Sequence, residues 1–101
     1  MQFHISDGAR GIEVALKGRL EFDDHANFRE VTAKVTDLPA KDIIVDLSGV
    51  EFIDSSGLGL LIVLRNLAER RKVVLVLKKA TGVVRQMLVT TRFDMLARIE
   101  D

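Results

Sequence analysis

The stretch VEFIDSSGLGLLIVL, residues 50–64, places an aspartate, two serines and two glycines inside an otherwise apolar run. Aspartate and serine are favoured at helix N-caps, because a side-chain oxygen accepts a hydrogen bond from a free amide of the first turn. The stretch therefore predicts a helix over Ser55–Arg71. Basic residues at 70–72 suit the negative end of that helix.

The segments on either side of this helix predict the rest of the fold. Apolar and β-branched runs at Ile43–Leu47, which Ser48-Gly49 ends, and at Val73–Leu77 are typical of interior strands. Strict alternation over Ile12–Gly18 predicts a half-buried strand, paired as a hairpin with Phe3–Ser6.

Helical periodicity and turn residues place the remaining elements. Asp23-Asp24 opens a helix that Pro39 stops, Gly82–Thr91 is a third helix, and Leu96–Ile99 a short last strand. The order β-β-α-β-α-β-α-β predicts an α/β fold with a mixed sheet, a first antiparallel hairpin and helices packed against the sheet.

Length and composition restrict the class of protein. The 101 residues, 48% hydrophobic and 30% charged, predict a single domain over residues 1–101. The formal net charge of zero gives no general attraction to nucleic acid. No apolar run is long enough to cross a bilayer, no signal peptide is visible and cysteine is absent. We therefore expect a cytoplasmic protein with no direct contact with nucleic acid and no membrane insertion.

The helix over Ser55–Arg71 departs from simple amphipathic patterning. At about 100° per residue, Leu58 and Ile62 fall on the polar side in line with Ser55, and Gly59 lies close beside them. This arrangement predicts an exposed apolar strip next to a hydroxyl group, which is typical of a docking surface. The alternative is that a loop of the same domain covers Leu58 and Ile62.

A phosphate on Ser55 would suit this position. It would face free amides and the positive end of the helix dipole, while Asp54 would oppose it by like-charge repulsion. The added charge of about −1.5 to −2 would lie on a surface suited to apolar contact, where a partner would have to desolvate it.

At these residues the sequence resembles the STAS family, and within it the anti-sigma factor antagonists. The matching segment is DLSGVEFIDSSGLGLLIVL, Asp46–Leu64, which contains the family's D-S/T-S/T-G-L turn at the start of an amphipathic helix. The predicted order of elements also agrees. The resemblance implies that Ser55 is the phosphoacceptor and that Ser56 is its neighbour.

The resemblance also implies partners. Antagonists of this type bind an anti-sigma factor that is itself an ATP-binding serine kinase, are released when that kinase phosphorylates them, and are restored by a PP2C-type phosphatase. The residues implied at the partner surface are Asp54, Ser56, Gly57, Leu58, Gly59, Ile62, Glu21 and Asp23. One alternative is a STAS subunit that docks on the ATPase of a lipid-transport ABC system without phosphorylation. Another is a scaffold with an unused serine.

Three departures from the family pattern bear on the choice of partner. The loop after the second strand reads Gly18-Arg19-Leu20-Glu21 where the family often has G-E-L/I-D, so Glu21 takes the place of the usual aspartate and a basic residue replaces the acid. Asp23 and Asp24 are candidates to supply the acidic rim instead. Arg71-Lys72 replaces the glycine that often ends the central helix. Thr91-Arg92-Phe93 replaces a late T-G-L. Losing a glycine costs about 1 kcal/mol where the position needs a left-handed conformation.

No pattern in the chain predicts catalysis, a metal site or a cofactor site. His4 and His25 lie on different elements, without the spacing of a metal motif. Gly57-Leu58-Gly59 lacks the third glycine of a dinucleotide loop and the lysine of a P-loop. We therefore expect a binding module and not an enzyme.

Overall fold

The computed structural model describes all residues, Met1–Asp101, as five strands, three α-helices and two short 3₁₀ turns. The strands are β1 (Gln2–Asp7), β2 (Ile12–Leu20), β3 (Ile43–Ile53), β4 (Leu75–Lys78) and β5 (Arg98–Glu100); the helices are α1 (His25–Asp37), α2 (Ser55–Arg71) and α3 (Gly82–Thr90); the 3₁₀ turns are Phe22–Asp24 and Phe93–Met95.

The sheet has the predicted mixed topology. Its strands lie in the order β1-β2-β3-β4-β5. The pair β1–β2 is antiparallel, and the three following pairs are parallel. The element order is also confirmed, and α2 has the predicted bounds.

The helices pack on one face of this sheet. Val14 and Val45, on neighbouring strands, point to that face and join the buried core that the helices complete. Alternate residues point to the opposite face, which carries the half-buried Asp46 and Lys78, although Ile44 on the same face is fully buried. One apolar layer therefore holds the helices, and α2 starts at the C-terminal end of the central strand β3.

The prediction that Ser48-Gly49 ends the third strand is wrong. The strand continues to Ile53, and its pairing with β2 shifts register twice, between Ala15 and Lys17 and again between Gly18 and Arg19. A β-bulge of this kind lets a strand pass through residues that would otherwise end it. Asp46 stabilises the irregular segment, because its Oδ1 accepts a hydrogen bond from the Ser48 amide at 2.9 Å.

Several other boundaries also differ from the sequence predictions. The fourth strand begins at Leu75 and not at Val73, the last strand covers Arg98–Glu100, and α3 ends at Thr90. Asp23 and Asp24 belong to a 3₁₀ turn that precedes α1. Apart from the start of the helix after β2, these differences are of one or two residues, at element ends, where helices fray and boundaries are least defined.

Two of the departures from the family pattern fall on left-handed backbone. Lys72 ends α2 with φ of 59°, and Arg92, after α3, has φ of 54°. At the end of α2, the amide of Val73 donates to the Ala68 carbonyl at 2.9 Å and that of Lys72 to the Glu69 carbonyl at 3.1 Å, a helix-ending pattern that favours glycine at the Lys72 position. The chain therefore carries side chains at two positions that cost them conformational energy.

Candidate functional site

Asp54 connects the loop between β2 and α1 to the start of α2, where the candidate site lies. Its Oδ1 accepts from the Gly57 amide at 3.0 Å and caps α2, and its Oδ2 accepts from the Phe22 amide at 3.2 Å. Its own amide donates to the Leu20 carbonyl at 3.1 Å. The predicted cap is thus present, and the same carboxylate fixes the loop between β2 and α1 against the start of α2.

The two serines that follow differ in their surroundings. Ser55 is the first residue of α2 and is exposed, whereas Ser56 is half-buried. Neither hydroxyl forms a hydrogen bond within the protein, and their amides have no protein acceptor. The start of α2 therefore offers one accessible hydroxyl beside unsatisfied amide donors.

The two glycines of the motif have different roles. A Cβ at Gly57 would lie 2.6 Å from both Ile53 Cγ1 and the Leu20 carbonyl oxygen, so this glycine is required where the helix meets the sheet. A Cβ at Gly59 would meet nothing within 4 Å. Close packing therefore explains Gly57 but not Gly59.

The apolar strip on α2 differs in part from the prediction. Leu58 is half-buried and packs against the core, so it is not an exposed member of the strip. Ile62 is 41% exposed, as expected, and the neighbouring Val63 is 44% exposed. Leu58 lies in the first turn of α2, close enough to the core to pack against it. The exposed apolar surface of α2 therefore consists of Ile62 and Val63.

The loop between β2 and α1 carries the acidic residues expected at the rim. The Arg19 guanidinium forms an ion pair with Glu21 Oε1 at 2.7 Å and lies 4.3 Å from the centre of the Phe52 ring. Asp23 is exposed and forms no hydrogen bond or ion pair, and Asp24 Oδ2 accepts from the Glu21 amide at 3.2 Å. The basic residue that departs from the family pattern therefore neutralises Glu21, and the free acid of the rim is Asp23.

Phe22, which the sequence patterns did not mark as a site residue, is 65% exposed in the 3₁₀ turn. Its ring packs edge-on against His25 with 4.7 Å between centroids, and His25 in turn lies 5.9 Å from the Phe28 ring. An aromatic residue among acids, outside any apolar periodicity, was the available signal.

A groove between α1 and α2, also missed, opens beside Ser56. Its volume is about 570 Å³. Two helical stripes form its walls: His25, Phe28, Arg29, Thr32 and Ala33 from α1, and Ser56, Gly59, Leu60 and Val63 from α2.

Phe28 and Leu60 are the buried residues among those lining the groove. The Thr32 hydroxyl donates to the Phe28 carbonyl at 3.0 Å. The methyl group of Thr32 is therefore the part of this side chain left for contact with a ligand in the groove. Gly59, open in space, widens the groove on the α2 side.

Two other kinds of feature are absent from the structure. No three histidine, cysteine, aspartate or glutamate side chains approach one another closely enough to hold a metal ion. None of the helices has the length and apolar character needed to cross a bilayer. The arrangement offers an exposed hydroxyl group close to an exposed apolar surface.

Solved structures with the same fold include several anti-sigma factor antagonists. A candidate antagonist from Thermotoga maritima superposes with a TM-score of 0.83 at 23% identity, over 98% of this chain and 86% of that one. An antagonist from Mycobacterium paratuberculosis gives 0.82 at 23% identity, over 98% and 84%. The antagonist SpoIIAA in its unphosphorylated form gives 0.74 at 19% identity, over 99% and 88%. At these identities the likeness is one of fold.

Sequence comparison is more specific about the family. A STAS-domain containing protein of Pseudomonas aeruginosa (strain UCBPP-PA14) is 31% identical over 88 residues, which are 87% of this chain and 86% of that protein. Residues 4–98 match the family described as "Mlab, STAS domain". Because this match spans nearly the whole chain, the protein belongs to the STAS domain family.

Proposed function

We propose that the protein is an anti-sigma factor antagonist whose unphosphorylated form binds an anti-sigma factor that is also a serine kinase, and which is released when Ser55 is phosphorylated. The observation that carries this proposal is the exposed, unbonded hydroxyl of Ser55 at the start of α2, on the helix that exposes Ile62 and Val63 about two turns further along. A serine-specific phosphatase of the PP2C type would reverse the modification, and the exchange would take place in the cytoplasm.

The position of Ser55 explains how a phosphate can act without unfolding the domain. Free amides at the start of α2 and the positive end of its dipole favour a phosphate there. The carboxylate of Asp54 already holds the Gly57 and Phe22 amides, so helix capping does not depend on the serine. The new charge therefore changes the binding surface more than the fold.

Accessibility favours Ser55 over Ser56 as the acceptor. A kinase must bring the γ-phosphate of ATP into line with the attacking oxygen, which requires an exposed hydroxyl. Ser55 is exposed, whereas Ser56 is half-buried and lines the groove. The fold shared with anti-sigma factor antagonists, one of them described in an unphosphorylated form, supports the class of function but not the choice between the two serines.

Phosphorylation by the cognate serine kinase tests the proposal. With ATP and the kinase, intact-mass spectrometry should show one added phosphate, and peptide analysis should place it on Ser55. Ser55→Ala should incorporate none, while the matched control Ser56→Ala should incorporate one. Ser55→Asp should bind the kinase at least tenfold more weakly than wild type. A phosphate on Ser56, no incorporation, or unchanged binding of Ser55→Asp would refute the proposal.

The second candidate is a STAS subunit that docks on the ATPase of a membrane transport complex. The description of the matched family names Mlab and not an anti-sigma factor antagonist, which favours keeping this candidate. Under it, the same surface would bind without phosphorylation. Copurification with a permease or ATPase, and binding that survives Ser55→Asp, would establish this second function in place of the first.

A further inference from the structure

The groove between α1 and α2 is an apolar surface that the proposed switch uses only at its α2 margin, through Val63. The stripe on α1 follows positions 25, 28, 29, 32 and 33, and that on α2 follows 56, 59, 60 and 63. These are the spacings of one helical face. The groove therefore runs along two helices and ends beside the serine pair.

The length of the groove suits a short helix of another chain. From His25 to Ala33 the α1 wall is about 12 Å long at 1.5 Å per residue, which is roughly two helical turns. A helix laid between two others presents apolar residues at i, i+3 or i+4, and i+7. The side chain missing at Gly59 lets another backbone come close on the α2 side.

A positive charge in the groove wall, that of Arg29, predicts an acidic residue on the helix that binds there. Arg29 is exposed and forms no ion pair with any acid of this chain. By contrast, Lys34 on the same helix lies 3.7 Å from Glu30. A carboxylate on the occupant would complement the free guanidinium.

We propose that this groove binds an amphipathic helix of the partner protein, about two turns long, whose apolar side chains enter between α1 and α2 and whose carboxylate pairs with Arg29. The inference rests on the proposed function for the identity of that partner. It adds a second contact area, continuous with the Ser55 surface through Ser56 and Gly59.

Photo-crosslinking in cells first identifies the segment that occupies the groove. A benzophenone amino acid in place of Ala33, which is exposed and lines the groove, should capture a partner segment with helical apolar spacing and an acidic residue. The same probe at Glu30, exposed on α1 but outside the groove, is the control. No adduct at Ala33, equal capture at Glu30, an extended segment, or a second copy of this chain would overturn the proposal.

Binding to the captured protein, measured with purified components, then tests the chemistry. Gly59→Gln fills the open space on the α2 wall and should weaken binding at least tenfold without lowering the melting temperature. Its matched control Asn66→Gln, exposed on the same helix outside the groove, should bind within twofold of wild type.

Reversal of the rim charge tests the role of Arg29. Arg29→Glu should weaken binding about five- to tenfold, and an acid-to-lysine change in the partner segment should restore it. Arg70→Glu, an exposed control outside the groove, should have no effect. Wild-type affinity in both Gly59→Gln and Arg29→Glu would overturn the groove proposal.

The Ser55 and groove variants separate the two proposals. If Ser55→Asp abolishes binding while Gly59→Gln and Arg29→Glu bind normally, the switch stands and the groove proposal fails. If the groove variants lose binding while Ser55→Asp keeps it, the groove is the docking site and the proposed phospho-switch fails.

Discussion

Replacing Asp54 separates its two structural roles. In Asp54→Ala the cap on Gly57 and the hydrogen bond from the Phe22 amide, at 3.0 and 3.2 Å, are both lost. Loss of an N-cap costs about 1 kcal/mol. Loss of the second hydrogen bond adds roughly 0.5 kcal/mol. This is near the lower limit for a hydrogen bond, because water can replace the lost acceptor at the exposed Phe22. We expect the free energy of unfolding to fall by about 1.5 kcal/mol and the melting temperature by roughly 6–12 °C.

Asp54→Asn should behave differently. Asparagine caps helices as well as aspartate does, so its single oxygen can keep the Gly57 amide, while its NH₂ group cannot accept from Phe22. We expect a loss of at most about 0.5 kcal/mol. Asp23→Ala is the matched control, because Asp23 is an exposed acid of the same loop without a partner.

Urea unfolding followed by circular dichroism gives the stabilities, and amide hydrogen exchange locates the change. Exchange should accelerate at Phe22 and Gly57 in Asp54→Ala, but only at Phe22 in Asp54→Asn. If Asp54→Ala proves as stable as Asp23→Ala, or if both amides exchange as in wild type, the assignment of Asp54 as the link between the two loops is wrong.

Three further changes test the fold around the site. Lys72→Gly should stabilise the protein by about 0.5–1 kcal/mol, because the strain of a left-handed lysine is relieved and unfolded-state entropy offsets only part of the gain. The control Arg70→Gly, in the same turn but with right-handed backbone, should destabilise the protein by about 1 kcal/mol. Urea midpoints of the two variants that move in the same direction would contradict this prediction. Gly57→Ala should cost about 1–3 kcal/mol, since the new methyl would lie 2.6 Å from Ile53 Cγ1; a melting temperature equal to that of wild type would show that the helix can shift at no cost. Burial raises the pKa of Asp46, but the amide and hydroxyl of Ser48 and the charges of Lys79 and Lys78 outweigh it, so its pKa is lowered in the folded state. Its contribution to stability is therefore present above the unfolded pKa of about 3.9 and is lost as the pH falls through the folded value; Asp46→Asn should weaken the acid dependence of urea unfolding below about pH 4, and an identical profile would refute the assignment.

The sequence was most informative where one local signal dominated. The bounds of α2 followed from a capping aspartate at one end and a basic last turn at the other, and the structure places both as predicted. The third strand was underestimated because Ser48-Gly49 resembles a strand end. Only the pairing with β2 shows that the strand continues past it through two bulges.

The binding surface was less predictable because two helices contribute to it. A helical wheel assigned Leu58 and Ile62 to the same side of α2, but the wheel does not show how near each turn lies to the sheet. Leu58 is in the first turn and packs against the core, whereas Ile62 lies one turn further along and remains exposed. The groove could not be predicted from α2 alone, since half of its wall comes from α1.

The adjacent serines have different surroundings, although they are neighbours in the chain. Consecutive helical residues are about 100° apart, so Ser56 lines the groove while Ser55 points away from it into solvent. A phosphate on Ser56 would occupy the groove directly, whereas one on Ser55 would place its charge beside the groove and leave the walls intact. Because Asp54 holds both the start of α2 and the loop of Phe22, that charge would lie where α2, the loop and the groove meet. Under the proposed function, control from Ser55 would need no large movement, only a desolvation cost that a docking helix would have to meet.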